Sequence, residues 1–123
     1  MPGELKSYQG SCHCGAVKFA VQTTLSPALR CNCSLCRRKG AVMAAVAPEH
    51  FNLLSGEEYL SLYQFNTRTA KHYFCKTCGI YTFHRPRTNP GIYRVNVGCL
   101  EGVDPFALEV GLNDGTVLST VSA

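Results

Sequence analysis

The distribution of apolar residues predicts an all-β fold. Apolar and polar residues alternate over short runs, and clusters of Gly, Pro, Asn and Ser separate those runs. Eight cysteines fall mostly in close-spaced groups beside the turns. At 123 residues, with 46% hydrophobic and 16% charged residues, the chain is expected to form one domain over 1–123 with a packed core. No internal repeat, low-complexity tract or linker divides it.

Each element has its own signal. Gly10-Ser11-Cys12-His13-Cys14-Gly15 is a cysteine knuckle whose glycines permit a tight turn. Val17, Phe19 and Val21 then alternate with less apolar neighbours through Gln22, as in a half-buried strand. Residues 23–27 are a turn, and residues 28–30 lead into Cys31-Asn32-Cys33-Ser34-Leu35-Cys36. The apolar run 41–46, bounded by Gly40 and Pro48, has strand length, although its alanines also suit a helix. Residues 48–51 form a turn or one helical turn, 52–54 a short strand, and Ser55-Gly56 a break. Residues 59–65 alternate as a strand, 66–69 make a polar hairpin loop, and 70–74 return to a second knuckle, Cys75-Lys76-Thr77-Cys78-Gly79. Strands follow at 81–84 and 92–97, with a loop at 85–91 between them and a polar turn at 101–105 after them. Asn113-Asp114-Gly115 is a hairpin turn in the C-terminal part.

The cysteines carry the chemistry. Cys31, Cys33 and Cys36 lie too close in sequence to pair readily among themselves, because a disulfide needs Cα atoms about 4.4–6.8 Å apart and converging Cβ vectors. A turn can instead aim several thiolates at one ion about 2.3 Å away. No apolar leader precedes the first knuckle and no stretch reaches the length of a membrane helix, which predicts a cytoplasmic protein whose thiols bind metal in preference to forming disulfides. The pairs Cys12/Cys14 and Cys75/Cys78 are then left for one another as a four-thiolate structural zinc site. Three ligands leave a position open for water or substrate, so Cys31, Cys33 and Cys36 are the expected working site and hold a second zinc. The alternative is a second structural zinc closed by Cys99 or a histidine. Cys99 is otherwise expected as a small buried apolar residue or as a thiol set beside the metal ligands, and His13, His50, His72 and His84 as surface or packing residues. His84 with Arg85, Arg87 and Asn89 has the composition of a pocket for an anionic substrate.

The formal charge of +4 does not make this a nucleic-acid-binding chain. Seven ionised thiolates around two divalent ions remove seven charges and return four, leaving +1 and no excess basic stripe.

The motifs G-x-C-x-C-G at 10–15, C-x-C-x-x-C-R at 31–37 and F-C-x-x-C-G at 74–79 together resemble the glutathione-dependent formaldehyde-activating enzyme family, which also includes centromere protein V. The resemblance runs over about residues 10–104. It implies a small domain of several coiled antiparallel sheets stapled by zinc. It also implies a structural zinc on Cys12, Cys14, Cys75 and Cys78 and a catalytic zinc on Cys31, Cys33 and Cys36. The implied activity is carbon–sulfur lyase chemistry that joins glutathione and formaldehyde to S-hydroxymethylglutathione.

Charge supports such chemistry. A zinc ion already bound by three thiolates is a poor acidifier of water but exchanges soft ligands well, and an incoming thiol stays nucleophilic there. Arg37 and Arg38, followed by Lys39, are placed to offset thiolate charge or to hold substrate carboxylates; the alternative is a solvated basic turn or a phosphate contact. The expected function is therefore a zinc-dependent enzyme acting on a thiol adduct of a small aldehyde. A zinc-stabilised, non-catalytic binding module for nucleic acid or protein is the competing reading, and a strong salt-sensitive affinity for DNA or RNA would mark it.

Overall fold

The computed structural model describes residues 4–31, 34–65, 68–87 and 89–113. Among the described residues, ten strands form two sheets. In the smaller, β1 (Lys6–Ser11), β2 (Lys18–Thr23) and β5 (Phe51–Ser55) lie in the order β1-β2-β5. The larger contains β3 (Ala28–Cys31), β4 (Met43–Val46), β6 (Leu60–Tyr63), β7 (Lys71–Cys75), β8 (Tyr81–Arg85), β9 (Tyr93–Asn96) and β10 (Val110–Asn113), in the order β10-β3-β4-β9-β8-β7-β6. The only α-helical segment among the described residues is one turn, α1 (Cys36–Lys39). The all-β expectation therefore holds. Among the described residues, no helix is long and apolar enough to cross a membrane.

Alternation sets the strand faces. In β2, Phe19, Val21 and Thr23 are buried, while Lys18 and Gln22 face out. Thr23 keeps its buried hydroxyl satisfied by donating to the Ala45 carbonyl at 3.1 Å. The apolar run 41–46 resolves as strand, with Met43, Ala44 and Val46 buried and β9 paired antiparallel alongside. In the run 59–65 the strand is shorter than its pattern, because Glu57–Tyr59 forms a 3-10 turn and β6 begins only at Leu60.

The two sheets are held together by aromatic residues. Phe19 of β2 is fully buried, stacks on Phe51 of β5 at 5.7 Å and meets Phe83 of β8 edge-on at 6.0 Å. Phe51 lies 4.7 Å from Phe83 and stacks on Tyr93 of β9 at 4.2 Å. Each such ring supplies both apolar burial and a directional contact, and truncation of a buried Phe costs about 3–5 kcal/mol. A single bridge, Gly10 to Leu100, adds a backbone link.

One departure from an all-antiparallel arrangement lies at the edge of the large sheet, where β10 pairs parallel with β3 from Val110↔Ala28 to Asn113↔Cys31. Parallel neighbours need a long connection, and here the chain passes through all of β4 to β9 between them. The Asn113-Asp114-Gly115 turn extends beyond the described residues, since Asp114 and Gly115 lie outside them.

Candidate metal centre and adjoining cavity

Both knuckles sit at strand ends and close in the same way. Cys12 follows β1, and its N–H donates to the Val17 carbonyl at 3.1 Å; Cys75 ends β7, and its N–H donates to the Ile80 carbonyl at 2.9 Å. Gly15 and Gly79 adopt φ of 84° and 79°, a left-handed conformation that side-chain-bearing residues rarely take. Their N–H groups return to the Cys12 and Cys75 carbonyls at 3.3 and 2.7 Å. Each turn thereby points its two thiols the same way.

These turns bring Cys12, Cys14, Cys75 and Cys78 together, with all four sulfurs within 4.8 Å of one another. Cys12 Sγ and Cys14 Sγ are 3.6 Å apart, and Cys14 Sγ and Cys75 Sγ are 3.7 Å apart. A tetrahedral ion with sulfur ligands at about 2.3 Å sets its ligands about 3.8 Å from one another, so the group fits a four-thiolate metal site. It does not fit disulfides, whose sulfurs lie about 2.05 Å apart. Cys12 and Cys75 are buried, and the Val17 N–H donates to Cys12 Sγ at 3.3 Å.

Hydrogen bonds from the backbone and among the sulfurs divide the four thiols. The Ala16 backbone N–H lowers Cys14, but partial desolvation and the sulfurs of Cys12, Cys75 and Cys78 push it up to about 11. Desolvation raises Cys78, but backbone hydrogen bonds from Cys14 and Ile80, with side-chain bonds from Cys75 and Cys14, bring it down to about 6. One thiolate among four thiols thus discourages the next, and a divalent cation removes that penalty for all of them.

Cys31, Cys36 and Cys99 are not members of this group. Cys31 ends β3, half-buried, and Cys36 opens α1, buried. Cys33 lies outside the described residues. Cys99 is buried in the main core and donates weakly to the Tyr81 carbonyl at 3.6 Å. Burial, then the charge of Cys12 and Cys78, pushes its thiol up to about 12, so it stays neutral.

The basic run after Cys36 is split by the helical turn. Arg37 and Arg38 are exposed, and Arg38 Nη1 donates to the Ser34 carbonyl at 2.6 Å. Lys39 turns inward, with its ammonium 3.5 Å from the centre of the Tyr81 ring. Behind it, the Tyr81 hydroxyl bridges His72 Nδ1, at 3.1 Å, and His84 Nδ1. These two histidines face each other across β7 and β8 and are buried, at 1% and 4% exposure. One hydroxyl hydrogen serves only one imidazole, so the other must carry its own hydrogen on Nδ1 and donate it to the oxygen. His84 therefore turns inward, away from Arg85, whose guanidinium lies 4.4 Å from the Tyr93 ring centre and donates to the Pro90 carbonyl at 3.0 Å. His72 and His84 sit in packing positions, as expected.

Their burial has a pH signature. Burial, then the Lys39 charge, lowers His72 to about 4, and burial, Lys39, His72 and Arg94 hold His84 well below its usual value. Unfolded histidine titrates near 6.5, so below that pH the unfolded chain takes up protons that the fold refuses. The contribution of His72 to stability is complete above about pH 6.5 and is lost as pH falls toward 4, by up to about 1.4 kcal/mol per pH unit. Urea midpoints across this range in zinc-saturated buffer should show the fall, and His72→Asn should flatten it. Equal slopes in the two proteins would mean that His72 is not held neutral.

Lys39 and Tyr81 form one wall of a cavity of about 400 Å3, between the end of α1, the second knuckle and the turn carrying Phe106. Arg30, Gly79 and Asn96 contribute to its other walls. Sequence reasoning missed Lys39 as the inward-facing member of its run, and the Tyr81 bridge altogether. Only the spacing of Cys36 and Lys39, three residues apart, would have placed them on one face, had a helix been expected there.

A two-sheet β domain whose strand ends are clamped by four gathered cysteines is the class that this fold and site define. The model of the family described as glutathione-dependent formaldehyde-activating enzyme matches residues 7–111, and the chain belongs to that family. A Halomonas elongata protein bearing the same family description is 34% identical over 79 residues, which span 57% of this chain and 50% of that protein. The chain thus matches about half the length of that curated relative. The crystal structure of a Rhodobacter sphaeroides protein superposes with a TM-score of 0.83 at 52% identity, covering 85% of this chain and 99% of that one.

Proposed function

We propose that this chain is a two-zinc enzyme that joins a glutathione-type thiol to formaldehyde and, in reverse, cleaves the adduct as a carbon–sulfur lyase. In this reading, Cys12, Cys14, Cys75 and Cys78 hold a structural ion, while Cys31, Cys33 and Cys36 hold a catalytic one. The observation that carries it is the division of the cysteines. Four are gathered within 4.8 Å, while Cys31 and Cys36 are kept out of that group. Arg30, next to Cys31, and Lys39, three residues after Cys36, both line the cavity. The family match and the shared name of the Halomonas relative support glutathione and formaldehyde as the reactants.

Zinc in a three-thiolate shell supplies a soft acceptor that keeps an incoming thiol ionised near neutral pH. The sulfur electron pair forms the new C–S bond at the aldehyde carbon, and the C=O π pair moves to oxygen. That oxygen takes up the proton which the thiol gave up, so the sum is thiol plus aldehyde to hydroxymethyl thioether. Arg37 and Arg38, exposed on α1, offset thiolate charge and hold substrate carboxylates from the solvent side. Tyr81 lines the cavity, and the neutral His72 and His84 anchor its hydroxyl from behind without adding charge. A reaction that relies on free thiols belongs in a reducing compartment, which supports a cytoplasmic setting.

Exchange between free and glutathione-bound formaldehyde, followed by 13C NMR, tests the reading. The zinc-loaded protein should speed this exchange above the spontaneous rate, and an unchanged rate would remove the enzymatic reading.

A further inference from the structure

We propose that the four-cysteine site doubles as an oxidant-sensitive switch: a peroxide strikes Cys14, Cys75 closes a disulfide onto it, and the metal is released while the two knuckles stay joined. This rests on the four-thiolate metal reading and not on catalysis. Exposure sorts the cysteines into roles. Cys14 lies at the surface, whereas Cys12 and Cys75 are buried. An oxidant arriving from solvent therefore meets Cys14 before either of them. Cys78 is half-buried, and its sulfur accepts backbone hydrogen bonds from Cys14 and Ile80. Those bonds stabilise its thiolate and make it the weaker nucleophile. Cys14 accepts one such backbone bond, from Ala16.

Distance and chain connection select the second thiol. Two sulfurs lie close to Cys14 Sγ, that of Cys12 at 3.6 Å and that of Cys75 at 3.7 Å. Cys12 is only two residues away, a span that strains a disulfide, and its sulfur already accepts from the Val17 N–H at 3.3 Å. Cys75 comes from the other knuckle, 61 residues further on, and is free of that chain constraint. The Cys14 thiolate attacks one oxygen of hydrogen peroxide, the O–O bond breaks, and a proton from solvent turns the departing hydroxide into water. The Cys75 thiolate then attacks the Cys14 sulfur, forms the S–S bond and expels the sulfenic oxygen as hydroxide, which also takes a proton. Two thiolates, one peroxide and two protons thus become one disulfide and two waters, and the sulfurs lose the two electrons that the peroxide gains. The two thiolates left over are too few to close a tetrahedral shell. The new bond meanwhile ties one knuckle to the other, so the sheets keep a staple. In a reducing compartment such a bridge is transient, because a thiol reductant reopens it.

Hydrogen peroxide added to the zinc-loaded protein tests the switch, with metal release read by a chromogenic chelator and bridges mapped by mass spectrometry. The mapped bridge should join Cys14 to Cys75, circular dichroism should stay near that of the untreated protein, and dithiothreitol with added zinc should restore the metal. Cys14→His keeps a metal ligand at the exposed position, in a shell of three cysteines and one histidine. Under the same peroxide dose it should retain an ion that the original protein loses. A bridge inside either knuckle, or loss of the native dichroism on oxidation, would overturn the proposal. So would equal metal loss from the original and Cys14→His proteins, or four intact thiols at a dose that oxidises free glutathione in the same tube. Should Cys14→His not fold, the mapped bridge and the dichroism of the original protein decide the matter alone. Protein that takes up no metal at these four cysteines would remove the four-thiolate reading and the switch with it. Bound metal with a bridge inside one knuckle would remove the switch only.

Discussion

Cys75→Ser is expected to leave the domain largely unfolded and unable to hold a metal at the four-cysteine site. Cys75 is fully buried at the end of β7, and its sulfur lies 3.7 Å from that of Cys14 in the other knuckle. Without it, three thiols remain in an incomplete shell, and the two knuckles lose their common centre. Structural zinc contributes about 10–16 kcal/mol in small domains, while a whole domain is stable by only about 5–15 kcal/mol. The aromatic contacts between Phe19, Phe51 and Phe83 cannot offset a loss of that size. Circular dichroism and zinc analysis of the purified variant check this. A near-native unfolding midpoint together with a full complement of zinc would take Cys75 out of the structural role.

Cys33→Ser should behave in the opposite way, keeping the fold and losing the thiol site. The outer four cysteines stand without Cys33, so the sheets should remain clamped and the melting curve nearly unchanged. Metal content should fall by close to one ion per chain. In cobalt-substituted protein, glutathione should perturb the thiolate charge-transfer bands of the original sequence but not those of Cys33→Ser. If glutathione leaves the original spectrum unchanged and Cys99→Ser alters it, the second site is closed and the enzymatic reading loses its main support.

Several elements were legible without coordinates because their signals are local. The alternation of Val17, Phe19 and Val21 fixes which face of β2 is buried, and two glycine-closed cysteine turns announce knuckles that need no distant partner to form. The cluster of Cys12, Cys14, Cys75 and Cys78 followed from counting ligands. β1 was not legible. Its sequence, KSYQGS, is polar and mostly exposed, and it becomes a strand only by pairing with β2 from Lys6↔Thr23 to Ser11↔Lys18. α1 is a single turn, too short for any periodicity to register.

The amino-acid order alone thus determined the β class, the turns and the membership of the four-cysteine cluster, since strand periodicity and ligand spacing are written within a few residues. Tertiary structure decided which segments became neighbours: the parallel union of β10 with β3, the meeting of His72 and His84 across β7 and β8, and the inward turn of Lys39 onto Tyr81. Each of these depends on strand register or helical phase, and a shift of one residue would send the same side chains to the other face.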